Sequence, residues 1–252
     1  MQIDTRLTKE KIRDFLKKEF QKRNKRKAIL ATSGGIDSAI CAFLCKEAGL
    51  DLYAVLLPYG EKGRDGEKVA KELLEKDHIF IFDIKSLVDG AVLELEKIVK
   101  IDEVDKGNIM ARQRMIIQYA VARSLGGLVI GTENLSEYYL GYFTLFGDQA
   151  CDISPISGLF KTQVYELARY LNIPDYVLNK KPSADLWEEQ TDESELGFTY
   201  KDADQIINLL VFEKNTKEEI IKKGFNSNLV NKVIERMKAT EFKRQNPPKC
   251  II

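Results

Sequence analysis

The stretch ATSGGIDSA, residues 31–39, contains the side chains whose types and spacing most directly suggest chemistry. Its two consecutive glycines, Gly34 and Gly35, let backbone N–H groups approach an anion closely. Ser33 and Ser38 add hydroxyl donors, and the helix-like run that follows directs its positive N-terminus to the same place. Together these features suit a phosphate group, although an ordinary strand-to-helix turn could also use Ser-Gly-Gly.

The charged residue of this loop is an acid, Asp37, whereas a Walker-type loop ends in Gly-Lys-Ser/Thr. A carboxylate beside polyphosphate is repulsive unless a divalent cation lies between them. We therefore expect Mg²⁺ to accompany the nucleotide. The missing positive charge would come from the metal and from a distant basic residue, for which Lys161 in GLFKTQ is a candidate. The sequence predicts a loop that grips a pyrophosphate with metal help.

The elements that must position this loop alternate between strands and helices. Short apolar runs rich in Ile, Leu and Val, separated by helical patterns, indicate a buried parallel sheet and a doubly wound α/β fold. Strands are predicted at 28–32, 52–57, 79–84 and 127–132, and helices at 8–24 (capped by Thr8), 36–48, 64–76, 86–99 and 108–125. Ligands of such sheets bind at the carboxyl ends of strands. The segments TSGGIDS, PYGEKGRDG and TENLSEYY each follow a strand, so we expect them at one edge.

The strand pattern stops after about residue 160. TQVYELARYLN predicts a helix ended by Pro174, the polar residues 180–200 predict a loop, and residues 202–239 predict two or three helices. No internal repeat or low-complexity linker divides the chain. We expect one domain over 1–252, with an α/β nucleotide-binding core at about 25–160 and a mainly helical extension at about 161–252.

Composition excludes several classes of protein. The chain has 252 residues, 39 basic and 39 acidic, which argues against a dedicated nucleic-acid binder. A solvated helix end explains the basic run KRNKRK better than a nucleic-acid patch does. No apolar run approaches the roughly 18 residues of a membrane span, and the start MQIDTRLTKE does not resemble a signal peptide. We therefore expect a cytoplasmic protein that binds neither nucleic acid nor membrane.

Cysteine and histidine usage disfavours two further kinds of site. Cys41 and Cys45 share one apolar helix face and form no CxxC motif, so we expect small buried core residues. The single histidine, His78, precedes a strand and is expected to be structural or exposed. A Ser-His-Asp triad would need this histidine beside a nucleophile, and a zinc hydrolase would need a cluster of histidines.

The loop SGGIDS is similar to the pyrophosphatase loop of the N-type ATP pyrophosphatases, whose fold is of the adenine nucleotide alpha-hydrolase type. That superfamily cleaves ATP between its α and β phosphates, adenylylates a substrate oxygen, and lets a nitrogen or sulfur nucleophile displace AMP. The segments GNIMARQRM (107–115), GTENLSEYYLGYFTLFGDQACDISPISGLFKTQVYELARYL (131–171) and KPSADLWEEQTDESELG (181–197) together resemble ammonia-dependent NAD synthetases of bacteria. The resemblance runs from about residue 8 to the tail.

This resemblance implies a reaction and its participants. ATP would adenylylate the nicotinic acid carboxylate of deamido-NAD, and ammonia would then displace AMP to give NAD, with pyrophosphate leaving in the first step. ATP is then a co-substrate, Mg²⁺ the cofactor, and deamido-NAD and ammonia the other substrates. The family also implies a homodimer with the dinucleotide site near the interface.

Residue roles follow from the resemblance position by position. The metal ligands of the family match Asp37 and Glu137, and the phosphate-binding lysine matches Lys161. Ser183 stands where the family usually has threonine, and it keeps the hydroxyl. The implied ATP-binding residues are Ala31, Thr32, Ser33, Gly34, Gly35, Ile36, Asp37, Ser38, Thr132, Lys161 and Ser183.

For deamido-NAD, Arg112 and Asp152 match substrate-binding positions of the family. Leu145 stands where many members have a lysine, so a charged contact is lost or is supplied by another residue. Near the tail, Phe242 replaces a common histidine while Lys243 is retained, and the phenyl ring could stack on a base. We expect these five residues to contact the dinucleotide.

The expected catalytic residues are Lys161, for the departing pyrophosphate, and Asp148, which could orient ammonium and accept its proton. Two alternatives stay open. A tRNA-modifying member of the superfamily would need a basic surface or reactive cysteines, which the charge balance and the apolar setting of Cys41 and Cys45 disfavour. A non-catalytic nucleotide-binding module would keep the glycines without needing Asp37 and Glu137.

Overall fold

The centre of the computed structural model is a four-stranded parallel sheet. The structure describes residues 2–61, 64–183 and 190–250. Its strands are β1 (Lys27–Ala31), β2 (Asp51–Leu56), β3 (Ile79–Ile81) and β4 (Leu128–Ile130). They lie in the order β3-β2-β1-β4, and every neighbouring pair is parallel. The chain therefore moves outward from β1 in both directions, and the gap between the ends of β1 and β4 is the topological switch point of the sheet.

Helices cover both faces of this sheet. Side chains of β1 point alternately to either side, so neighbouring residues of this strand pack against helices on opposite faces. Leu30 packs with helices α1 (Thr5–Lys22) and α2 (Ile36–Glu47). Ile29 packs on the opposite face, which is covered by the helices α4 (Lys85–Leu95) and α5 (Glu103–Leu125), while α3 (Gly66–Leu73) follows β2. Both side chains are fully buried. The doubly wound parallel fold expected from the sequence is confirmed.

The predicted boundaries differ from the observed ones mainly at helix starts. Helix α1 begins at Thr5 and not near Thr8, because the carboxylate of Asp4 accepts a hydrogen bond from the Leu7 N–H and caps the helix. Strands β3 and β4 have three residues each, shorter than the patterns predicted. Helix α5 begins five residues earlier than predicted, at a capping box made by Asp102 and Asp105.

The chain after β4 is helical in the described ranges and has an apolar core of its own. Its helices are α6 (Leu135–Leu140), α7 (Lys161–Tyr170), α8 (Asp175–Leu178), α9 (Asp192–Leu196), α10 (Tyr200–Ile207), α11 (Lys217–Lys222) and α12 (Ser227–Ala239). Leu140, Ile206 and Val233 belong to this second core. Among the described residues, no helix is long and apolar enough to cross a membrane.

The prediction of a loop at 180–200 is wrong in part. Within the described portion of that stretch, helix α9 lies at its end and α10 begins at its last residue. The hydroxyls of Thr191 and Thr199 cap these helices by accepting hydrogen bonds from Ser194 N and Asp202 N, respectively. Polar composition suggested a loop, but threonine followed by acidic residues is also a helix start. Residues 184–189 of the predicted loop lie outside the described residues.

Candidate active site

The glycine loop after β1 leads directly into α2. Gly34 has a φ of +81°, a left-handed conformation that favours glycine, and a Cβ there would fall 2.6 Å from Asp65. The backbone amide of Gly35 donates to the Ser33 hydroxyl at 3.2 Å. The Ser38 hydroxyl donates to the Gly35 carbonyl at 3.0 Å and lies 3.1 Å from the Ser33 hydroxyl. The loop is thus folded by its own serines.

The segment after β2 closes on the outer side of this loop. A Cβ on Gly66, at the start of α3, would overlap the carbonyl oxygen of Thr32. The Lys180 ammonium holds Asp65 at 2.7 Å, so a residue far along the chain fixes the same corner. The sequence expectation that segments following successive strands meet at one sheet edge is therefore met for β1 and β2.

The segment after β4 brings Glu137 to the loop. Asn134, fully buried, caps α6: its side-chain oxygen accepts from the Glu137 N–H at 3.1 Å, and its own N–H donates to the Glu137 carboxylate at 3.3 Å. The Asn134 amide nitrogen also donates to Oδ1 of Asp37 at 3.0 Å. This one asparagine therefore joins the ends of β1 and β4 across the switch point.

Lys161 completes a buried ion cluster. Its Nζ donates to Oδ2 of Asp37 at 2.5 Å and to Oε1 of Glu137 at 3.0 Å, and its side chain is 4% exposed. Burial alone lowers the pKa of this lysine, but the two carboxylates outweigh it and raise the pKa, so the ammonium stays charged. Burial raises the pKa of Glu137, against the pull of Lys161.

A fully buried carboxylate on α10 stabilises this cluster through hydrogen bonds. Asp204 accepts hydrogen bonds from the Thr162 N–H at 2.9 Å, from the Thr162 hydroxyl at 2.8 Å and from the Ser136 hydroxyl. The Ser136 hydroxyl accepts in turn from the Lys161 N–H at 2.7 Å. Asp204 therefore fixes α6, which carries Glu137, relative to α7, which carries Lys161.

The donor set of the cluster fits Mg²⁺. Two carboxylates converge on one point, where the Lys161 ammonium lies within 3.0 Å of both. Among the described residues no group of three or more His, Cys, Asp or Glu side chains is arranged to hold a metal alone. That arrangement suits Mg²⁺, which usually takes one or two protein carboxylates and completes its shell with phosphate oxygens and water.

A cavity of about 460 Å³ opens over the cluster, a volume suited to a small-molecule ligand. Most of the sequence-predicted site residues line it: Ala31, Thr32, Ser33, Gly35, Ile36, Asp37, Ser38, Thr132, Glu137, Asp148, Lys161, Ser183 and Lys243. The structure therefore brings together residues from four separate parts of the chain. Five predicted residues lie outside the lining, namely Gly34, Arg112, Leu145, Asp152 and Phe242.

Those five residues have other surroundings. Gly34 faces the opposite side of the loop, toward Asp65. Arg112 is exposed on α5, and its guanidinium donates to the Leu145 carbonyl at 3.4 Å. Asp152 accepts from the backbone of β4 at 2.8 Å, and Phe242 is 62% exposed. The arginine of α5 that lines the cavity is Arg114, whose guanidinium donates to the Leu57 carbonyl at 3.1 Å.

Asp148 and Lys243 also line the cavity. Asp148 is exposed to the cavity, and one of its oxygens accepts from the Thr144 N–H at 2.8 Å. The Lys243 ammonium donates to the carbonyls of Gly141 at 2.9 Å and Phe143 at 2.6 Å. Burial lowers the pKa of Lys243. The retained lysine of the tail therefore shapes the turn that presents Asp148.

Sequence reasoning missed three residues that build the site: Asn134, Asp192 and Asp204. For Asn134 a signal existed, because Asn-Leu-Ser-Glu is a capping-box pattern that would have marked the start of α6. No sequence signal marked Asp192 and Asp204, because they follow Lys161 by more than thirty residues and reach the cluster only through the packing of the helices.

The cysteines and the histidine have the surroundings expected of them. Cys41 and Cys45 are fully buried, and burial raises the pKa of both thiols. His78 lies at the start of β3, at the amino-terminal edge of the sheet, where its ring stacks on Tyr53 and contacts Asp77 and Asp51. This edge is opposite the one that carries the cluster.

The fold and the cluster define a class. A doubly wound α/β domain has a glycine-rich anion loop at its switch point, and an acid of that loop is joined to a second acid and a lysine. This is the arrangement expected of an ATP pyrophosphatase-type nucleotide-binding enzyme.

Comparison with known proteins makes the assignment specific: residues 8–247 match the NAD synthase family model, and the chain belongs to that family. The chain is 43% identical over 238 residues, 93% of its length and 91% of the relative's, to the NH(3)-dependent NAD(+) synthetase of Fusobacterium nucleatum. Among solved structures, the NMN synthetase of Francisella tularensis superposes with a TM-score of 0.86 at 30% identity, each chain covered completely. The NH3-dependent NAD synthetase of Campylobacter jejuni superposes with a TM-score of 0.81 at 30% identity, over 99% of this chain and 100% of the other. The family expected from the motifs is confirmed.

Proposed function

We propose that this protein is an ammonia-dependent ligase that converts deamido-NAD, ATP and ammonia into NAD, AMP and pyrophosphate. The observation that carries the proposal is the Asp37–Lys161–Glu137 cluster beside the glycine loop at the switch point. The family membership and the names of its relatives support the same reaction. We treat residues 1–252 as one catalytic unit, because Asp204 of the helical extension supports the cluster.

In the first half-reaction the nicotinate carboxylate attacks the α-phosphorus of ATP, and pyrophosphate leaves. The glycine loop and the N-terminus of α2 would hold the departing pyrophosphate through backbone N–H groups. Lys161 supplies a positive charge at the same place, where charge develops in the transition state. Thr132 and Ser183 line the cavity, and we assign them to position ATP.

Asp37 and Glu137 would hold Mg²⁺. When bound, the metal offsets the negative charge that accumulates between the α and β phosphates. Asn134 holds Asp37 and Glu137 in register through its hydrogen bonds to both.

In the second half-reaction ammonia attacks the adenylate, and AMP leaves. We assign Asp148 to orient ammonium and accept its proton, because this exposed residue lines the same cavity as the loop. The name of the Fusobacterium relative supports ammonia as the nitrogen source. Cys41 and Cys45 do not suit glutamine hydrolysis, which requires an accessible thiolate.

We also propose a homodimer built on the face of α4 and α5. Leu93, Ile98, Val99, Val104 and Ile116 are each more than half exposed on or next to these helices. An apolar surface of this kind marks an interaction site. Arg112 lies on α5 one turn from Ile116, so a second copy here would bring the predicted dinucleotide contacts near the interface. Size-exclusion chromatography with light scattering tests this, with Ile98→Asp expected to give monomers.

A second candidate substrate is the mononucleotide, nicotinic acid mononucleotide. It is favoured by the complete superposition on a protein described as an NMN synthetase. The chemistry would be the same, because both substrates present the same nicotinate carboxylate. Dinucleotide and mononucleotide differ only in the adenylate half, so the comparison of their rates decides between them.

The test is a product assay with the purified chain, ATP and Mg²⁺. Either deamido-NAD or nicotinic acid mononucleotide is supplied, with ammonium chloride or, in ammonia-free buffer, with glutamine, and AMP and the amide product are measured separately. We expect NAD from deamido-NAD and ammonium. Faster NMN formation would favour the second candidate, and efficient use of glutamine would contradict the ammonia-dependent reaction. Pyrophosphate–ATP exchange that required tRNA would contradict both candidates.

A further inference from the structure

Within the described residues, one carboxylate oxygen of Asp192 is buried and has no hydrogen-bond partner. The residue is 3% exposed and lines the cavity together with Asp37, Glu137 and Lys161. Its Oδ2 accepts a hydrogen bond from the Tyr200 hydroxyl at 3.0 Å, whereas its Oδ1 has no hydrogen-bond partner in the described part of the chain. A buried oxygen left without a donor costs stability, so such an atom in a cavity wall indicates a partner that arrives later.

The Lys161 ammonium, by contrast, already contacts two carboxylates. It now neutralises the two carboxylates that would hold Mg²⁺, at 2.5 Å and 3.0 Å. A dication at those carboxylates and an ammonium at hydrogen-bond distance from both would repel each other strongly, because the Lys161 side chain is 4% exposed and both carboxylate side chains are 16% exposed. Metal binding therefore requires Lys161 to leave at least one of the two oxygens.

Asp192 is connected to Lys161 through the ring of Tyr200. The Lys161 ammonium is 5.3 Å from the centre of the Tyr200 ring, and the hydroxyl of that same ring donates to Asp192. Asp192 also acts electrostatically on Lys161, together with Asp37 and Glu137. Three carboxylates thus surround one ammonium, and only Asp192 has a buried oxygen free of donors.

We propose that Asp192 is the alternate partner of Lys161, taking the ammonium at Oδ1 when a divalent cation occupies Asp37 and Glu137. Asp192 is then a positioning residue: it keeps Lys161 charged and inside the cavity, facing the pyrophosphate, instead of releasing it to solvent. This inference rests on the metal assignment in the proposed function. In the metal-free protein, the Lys161 ammonium occupies the position that the divalent cation would take.

The test is a double-mutant cycle on Mn²⁺ affinity, measured without nucleotide from the electron paramagnetic resonance signal of free Mn²⁺. In the parent chain, Asp192→Asn removes the negative charge of the alternate site, so Mn²⁺ must displace a lysine that has lost its charged alternate partner. We expect the Mn²⁺ affinity to fall about fivefold or more in the parent chain and by less than about twofold in the Lys161→Met background. The reason is that the coupling between two members of an ion-pair network disappears when either member is removed.

Glu195→Gln is the matched control. Glu195 belongs to the same short helix and cavity wall, but its carboxylate already accepts from the Tyr142 hydroxyl and the Gln190 amide. We expect its effect on Mn²⁺ affinity to be equal in both backgrounds. Equal effects of Asp192→Asn in both backgrounds, no effect in the parent chain, or no saturable Mn²⁺ binding by the parent chain would overturn the inference.

Two measurements separate this outcome from failure of the metal assignment or of the reaction. Asp37→Asn must abolish the Mn²⁺ binding, and the product assay of the parent chain reports the reaction independently. If Asp192→Asn does not fold, a crystal structure of the parent chain with Mn²⁺ decides the question. Lys161 Nζ within about 3.2 Å of Asp192 Oδ1 supports the inference, and an ammonium still between Asp37 and Glu137 overturns it.

Discussion

Replacing Asp204 with asparagine would perturb the site without touching any atom that contacts substrate. Asp204 lies on α10, is fully buried, and receives three hydrogen bonds, two from Thr162 and one from the Ser136 hydroxyl. Asparagine has almost the same shape but only one acceptor oxygen. It can keep the two donors of Thr162, and its NH₂ group then faces the Ser136 hydroxyl, whose proton loses its acceptor.

The magnitude follows from these contacts. Hydrogen bonds to charged groups contribute about 1.5–3 kcal/mol each and neutral ones about 1 kcal/mol. Asp204→Asn loses one charged bond and weakens two, while the cost of burying the charge disappears. We expect a net loss of about 2–3 kcal/mol in the free energy of unfolding. Because the Lys161 N–H is held by Ser136, the ammonium should also shift, and a displacement of about 1 Å can slow a reaction about a hundredfold.

Urea unfolding of the parent and variant gives the stability difference, and single-turnover formation of AMP gives the rate. Asp14→Asn on α1 is the control, because Asp14 is exposed beside Arg13 and should change stability by less than about 0.5 kcal/mol. An Asp204→Asn protein with the stability and AMP rate of the parent would refute the assignment of Asp204 as the support of the cluster.

Three further predictions concern the site, and a fourth concerns Glu133, which precedes Asn134 in the chain. Asp37→Asn and Glu137→Gln should each raise the barrier by several kcal/mol at every Mg²⁺ concentration, since the charge that holds the metal is lost; near-parental rates at high Mg²⁺ would contradict this. Lys161→Ala should slow single-turnover adenylylation about a hundredfold with a smaller change in the ATP dissociation constant; a change in binding alone would make Lys161 a ground-state binder. Asp148→Asn should slow the ammonia step about a hundredfold and leave adenylate formation measurable by pyrophosphate exchange; loss of that exchange would contradict its role. Burial and the nearby Asp148 raise the pKa of Glu133 to about 8, so the stability that the protonated carboxyl contributes is complete below its unfolded pKa and is lost as pH rises through 8. Urea unfolding should therefore show Glu133→Gln gaining stability relative to the parent chain as pH rises. An equal stability difference at low and high pH would contradict the shift.

The fold could be predicted because its signal is local. Each strand of the sheet is a short apolar run between turn residues, and the periodicity of α2 and α5 is visible in the sequence. The loop chemistry was local too, since glycines, serines and Asp37 follow one another directly. The expectation that a cation accompanies Asp37 followed from charge alone.

The partner of Asp37 could be named from charge balance and resemblance, but its geometry could not. The sequence suggests that a basic residue such as Lys161 compensates the loop, yet 124 positions separate Lys161 from Asp37. Nothing local shows that the same ammonium would also contact Glu137. Asp192 and Asp204 were out of reach for the same reason, because their polar, acidic surroundings predicted exposed loop or helix surface. Asp204 is buried where α10 packs against α7, and Asp192 is buried beside Tyr200 of α10.

Charge explains why this loop has an acid where a Walker-type loop has a lysine. The buried site contains three carboxylates, Asp37, Glu137 and Asp192, against one ammonium, Lys161. A site that bound only pyrophosphate would gain from the opposite balance, because its ligand is itself an anion. An excess of negative charge is favourable only if the nucleotide arrives with a cation, and a dication balances this excess more closely than a monocation does. On the proposed function, the loop binds phosphate with uncharged backbone N–H groups, while Lys161 and the metal would supply the positive charge.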